Sequence, residues 1–72
     1  MKAIITQKSE LTLNLTQHFV FDVISDDDVV LLSSQSVECS PSNAINEIKS
    51  KVALFAEEYE TSEQLEVGTE IS

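Results

Sequence analysis

Leu11, Leu13, Leu15, Phe19, Phe21 and Val23 occupy odd positions, with Thr12, Asn14, Thr16, His18 and Asp22 between them and Gln17 as the single polar interruption. Period two marks a strand with one face turned inward. The stretch is long for a strand, so residues 11 to 23 read as one bent strand or as two, with a bulge or turn near Gln17 and His18. Residues 2 to 7 form a shorter strand ahead of it, joined through Lys8-Ser9-Glu10. Asp26-Asp27-Asp28 is a turn signal, and Val29 to Leu32 make a further strand. Ser33 to Glu38 is polar and serine-rich and reads as a connection.

The period then changes. Ala44, Ile45, Ile48, Val52, Phe55, Ala56 and Tyr59 are spaced by threes and fours, which puts them on one face of a helix. Ser40 suits the N-cap and Pro41 the first helical position. The pattern predicts a helix over about 41 to 59. Leu54 lies well off the stripe: it is either a singly exposed leucine or a residue that touches a partner. Beyond the helix, Leu65, Val67, Thr69 and Ile71 alternate with Glu66, Gly68, Glu70 and Ser72, which predicts a final strand with an acidic outer face.

Strands, then a helix, then a strand describe an α+β fold: a mainly antiparallel sheet of three to five strands with one long helix packed on one face. In this arrangement Ile45, Ile48, Val52, Phe55 and Tyr59 meet Leu13, Leu15, Phe19, Phe21, Val67 and Ile71. Val20, Ile24, Val30 and Leu32 add apolar side chains out of phase with the odd-numbered stripe. Together with Leu54 they are the candidate oligomer interface, because a sheet face left open by a single helix is an apolar patch that wants a partner.

Length and charge narrow the picture. The 72 residues read as a single small acidic domain, without an internal repeat or a marked linker. A domain near this size buries only roughly 60% of its unfolded surface, so its core is small. Cys39 is the only cysteine, which excludes an internal disulfide as the remedy and leaves oligomerisation. Thirteen acidic residues face four lysines and no arginine, for a net charge of −9. Such a chain repels nucleic-acid phosphates and anionic membranes and is attracted to basic protein surfaces. The start of the chain has no apolar run of signal-peptide length, no stretch approaches a membrane span, and the lone cysteine fits a reducing compartment. The expected location is cytoplasmic.

The raw material for catalysis is thin. His18 and Cys39 do not form a local nucleophile pair, and Cys39 has the character of a small buried hydrophobe. Asp26, Asp27 and Asp28 lack the alternating spacing, glycine and distal glutamate of a calcium loop. One glycine excludes a phosphate-cradling loop. The expectation is therefore no enzyme, no cofactor and no metal. What remains is Glu57, Glu58, Glu60, Glu63, Glu66 and Glu70, with no positive charge after Lys51. On a final strand Glu66 and Glu70 would share a face about 13 Å apart. Carboxylates spaced over a rigid surface can stand in for phosphates.

In size and charge alone, the chain is similar to small acidic proteins of phages and mobile elements, including anti-CRISPR proteins and other DNA mimics. That likeness implies an inhibitor that blocks a nucleic-acid-binding protein. Glu57, Glu58, Glu60, Glu63, Glu66 and Glu70 would be the contact residues, and Asp26, Asp27 and Asp28 a second cluster. The alternative is a small homodimeric assembly or regulatory module whose acid serves only solubility.

Overall fold

The computed structural model describes the whole chain, Met1 to Ser72. It is an α+β protein with strands β1 (Lys2–Lys8), β2 (Gln17–Ile24) and β3 (Val30–Cys39), followed by helix α1 (Pro41–Gln64). The strands form one antiparallel sheet in the order β1-β2-β3. The odd positions of β2 share a face with Ala3 and Ile5 of β1 and with Leu32, Gln35 and Val37 of β3, as their register pairs require. Phe21, Val23, Ile24 and Ala44 are the buried residues.

Two bulges in β3 set the phase of Leu32 and Val30 against β2. Val23 pairs with Leu32 and Ile24 with Val30, so Leu31 is an extra residue in β3. Phe21 pairs with Gln35 and Val23 with Leu32, so Ser33 and Ser34 together oppose Asp22. Ser34 adopts φ 56°, the left-handed region, and its backbone N–H donates to Asp22 Oδ1 at 3.0 Å. Each bulge resets which residues of β3 match β2. Leu32 thereby joins Phe21 and Val23 beside Phe55, while Val30 stays exposed.

Four sequence expectations are corrected here. Residues 11 to 15 are not strand. Thr12 and Thr16 close a turn through their backbones at 3.0 Å and their hydroxyls at 2.9 Å, and Leu15 takes φ 62° within it. Short-range hydroxyl bonding has prevailed over hydrophobic alternation, and Leu13 and Leu15 are exposed instead of meeting the helix. Ser33 to Glu38 is part of β3: Gln35 to Glu38 pair in register with Phe21 to His18, and Ser33 and Ser34 form the bulge. The helix runs on to Gln64, carried by Glu60, Glu63 and Gln64, all good helix formers. Finally, no strand follows it. The Leu65 N–H closes on the Ser62 carbonyl, Gly68 turns at φ 96°, and Val67 and Ile71 are fully or largely exposed.

Ser40 does stand at the N-cap, with Pro41 first in the helix, yet its hydroxyl makes no capping bond and lies 3.3 Å from the Ser42 hydroxyl. The helix is about 36 Å long at 1.5 Å per residue. The molecule measures 53 × 26 × 15 Å with a radius of gyration of 15.3 Å, against about 11 Å for a compact chain of this length. The extended shape is that of a small sheet with a helix longer than the sheet can shelter.

Candidate protein-binding surface

Nine of the thirteen acidic residues fall into three places. Glu57, Glu58, Glu60 and Glu63 are exposed on the last two turns of α1. Only two ion pairs exist in the molecule, Met1 ammonium to Asp26 at 2.6 Å and Lys2 to Asp28 at 3.7 Å, so none of these four glutamates is neutralised. Their position is electrostatically unfavourable for the helix itself. Carboxylates at a helix C-terminus oppose its dipole, and no basic residue stands in the last turn to offset them. Glu63 also acts on its neighbour: the Tyr59 phenol one turn back is raised above its usual pKa by hydrogen bonding to the Glu63 carboxylate and then by its charge.

Glu66 and Glu70 lie in the tail beyond the helix. The Thr69 N–H donates to the Glu66 carbonyl in a turn, so the expected rail of two carboxylates on one strand face is absent. Asp26, Asp27 and Asp28 form the β2–β3 turn, which Ser25 organises: its hydroxyl accepts from the N–H groups of Asp27 and Val29, and its carbonyl accepts from Asp28. This second cluster is largely spent internally. The N-terminal ammonium holds the Asp26 carboxyl below the usual carboxylate range by hydrogen bond and charge, and Lys2 takes Asp28. Asp27 alone projects without a partner.

The candidate interface residues separate. Ile24 is buried within the chain, Val20 is half-buried and pairs with Ser36, and Leu32 lines the space beside Phe55. Val30 and Leu54 are exposed at 55% and 65%. The sheet face that carries Val20 also carries Ile4, Ile24 and Val30 at one end and His18, Asp22, Ser36 and Glu38 along the rest, so its apolar and polar residues are mixed. The apolar surface lies elsewhere. A cleft of about 490 Å³ opens between β1 and α1, lined by Met1, Ala3, Ile5, Ile45, Ile48 and Val52 and rimmed by Lys2 and Lys49. No sequence pattern marks it.

His18 and Cys39 do not converge. Cys39 pairs with Gln17 across the ladder and His18 with Glu38, which sends the two side chains to opposite faces of the sheet. No group of three or more His, Cys, Asp or Glu side chains is placed to hold a metal, and no helix is long and apolar enough to cross a membrane. No protein family, characterised protein or solved structure matches the chain.

Proposed function

We propose that this chain is a non-enzymatic acidic binding protein that occupies a basic surface of a larger protein, most concretely a lysine- and arginine-lined groove built to hold nucleic acid. The observation that carries the reading is the set Glu57, Glu58, Glu60 and Glu63, exposed and unpaired on the end of a long helix. From Glu57 to Glu63 the helix rises about 9 Å. Four charges over that distance approach the density of duplex DNA, about one per 1.7 Å of axis. Glu66 and Glu70 extend the acid into the tail. The helix opposes its own dipole to hold this charge, a local cost that a charged partner would offset. Seating of α1 across the Phe21 face of the sheet belongs to the same reading, because it makes the carboxylate spacing rigid. So does a cytoplasmic working place, where a phage-type inhibitor or DNA mimic such as an anti-CRISPR protein meets its target.

Association of this kind is steered and salt-sensitive. The test is capture of basic proteins from a host lysate by wild type and by Glu57→Gln/Glu60→Gln/Glu66→Gln/Glu70→Gln. Loss of the captured protein in the variant, with unchanged circular dichroism, supports the reading, and equal capture by both proteins contradicts it.

A second reading, a homodimeric assembly or regulatory module whose acid maintains solubility, is favoured by one observation. Ile45 and Leu54 on the helix are 63% and 65% exposed, which is costly to leave in water.

A further inference from the structure

Ile45, Ile48, Val52, Phe55 and Tyr59 follow one another at intervals of three, four, three and four. That is the alternation of a two-helix seam, in which the residues next to the seam select the partner's direction. Phe55 in its middle lies beside Phe21 and Leu32 of the chain's own sheet, while Ile45, Ile48 and Val52 face the open cleft and Tyr59 is exposed. Here the residues next to the seam are Lys49 and Lys51 in the first half of α1, and Glu58 and Glu63 in the second. The sign changes along the helix, and at its C-terminal end Glu63 opposes the helix dipole with no basic residue to offset it. Within one chain this arrangement has no benefit. Between two antiparallel copies it has one: each glutamate-bearing end faces the partner's lysines. A parallel pair would set lysine against lysine and glutamate against glutamate.

We infer that α1 pairs antiparallel with α1 of a second copy, and that the Tyr59–Leu65 end of each helix covers the cleft between β1 and α1 of the other. Three further observations fit this occupant. The cleft is apolar and its rim holds Lys2 and Lys49, two of the four lysines in the chain. Tyr59 and Leu65, which would enter it, are 36% and 53% exposed in the single chain. The accessible surface is 5670 Å², against about 4,450 Å² for a compact monomer of this mass. The excess of about 1,200 Å² exceeds the roughly 800 Å² that each partner buries in a stable complex. A two-fold contact is self-complementary, so one arrangement fills both clefts. The inference draws two of the four helix glutamates, Glu58 and Glu63, into the contact between copies. Glu57 and Glu60 fall on the helix side away from the seam, and remain free for a partner of opposite charge.

The test is sedimentation equilibrium of the full chain at micromolar concentration, with circular dichroism as the check on folding. Wild type is expected to be a dimer. Lys49→Glu/Lys51→Glu and Glu58→Lys/Glu63→Lys should each weaken it by about tenfold or more, since exposed pairs that each contribute a fraction of a kcal/mol turn repulsive together. The four changes combined in one chain should restore the dimer, which only antiparallel pairing allows. Ile45→Asp, at a position exposed in the single chain, should leave a folded monomer. A monomeric wild type, half-swapped variants that associate like wild type, or a combined variant that stays folded and monomeric would each overturn the inference.

Discussion

The Asp22 carboxylate accepts the Ser34 backbone N–H at 3.0 Å across the β2–β3 bulge. Two residues of β3 face one of β2 there, which leaves a backbone donor without a ladder partner. Asp22 supplies the acceptor from the strand that lacks a residue. Asp22→Ala should therefore destabilise the fold by about 1–2 kcal/mol, the value of a bond to a charged acceptor at a half-exposed site. Asp22→Asn keeps an acceptor oxygen and should lose less. Urea unfolding checks this, and equal stability of Asp22→Ala and wild type would remove the bulge from the list of features that hold the sheet.

Leu15 and Phe21 separate the two ways of reading the first half of the chain. As a core residue Leu15 would lose roughly 2–5 kcal/mol on truncation. At φ 62° in an exposed turn its side chain is instead a source of strain. Leu15→Gly should be neutral or stabilising by up to about 1 kcal/mol. Phe21, 2% exposed, should by contrast lose about 3–5 kcal/mol as Ala, enough to unfold a domain this small. The same denaturation series measures both, and a large loss at Leu15 would restore residues 11 to 15 to the core.

Tyr59 offers a spectroscopic report on the acidic helix end. It is the only tyrosine and there is no tryptophan, so alkaline absorbance titration reads it alone. The Glu63 carboxylate raises its pKa because it stabilises the protonated phenol and repels the phenolate. Glu63→Gln should move the midpoint down toward the ordinary phenol value. An unmoved midpoint would mean that the two side chains do not meet.

Particular residues mark how far the sequence was legible. The apolar stripe of α1 and its start at Ser40-Pro41 were readable because a three-four spacing and a proline both act locally. The end of the helix was not, because the expected final strand claimed the residues after Tyr59. Phe19, Phe21 and Val23 share one strand face, as their alternation predicts. Leu13 and Leu15 obey the same alternation, but Thr12 and Thr16 bond to each other first, and periodicity carries no information about that competition. The bulges at Leu31 and Ser33-Ser34 were invisible for a related reason: an inserted residue shifts register without changing composition.

The glutamates of α1 were identifiable from charge alone, and their exposure follows from where the stripe points. The geometry of Glu66 and Glu70 depended on a strand that does not form. The pairing of Asp26 with Met1 and of Asp28 with Lys2 needed the β1–β2 register to bring the strand ends together. The cleft beside Lys49 has no signature in the sequence, because it depends on how α1 is placed against β1.

The central claim, that the unpaired glutamates of the helix end and tail engage a basic protein surface, is tested most directly by capture from a host lysate at low and at high salt. Wild type and the Glu57→Gln/Glu60→Gln/Glu66→Gln/Glu70→Gln variant are compared, and recovered proteins are identified by mass spectrometry. The account predicts that wild type recovers a nucleic-acid-binding protein at low salt, that high salt releases it as screening shortens the reach of each charge, and that the variant does not recover it. Recovery of no basic protein at low salt, or recovery indifferent to both salt and the four substitutions, would contradict it.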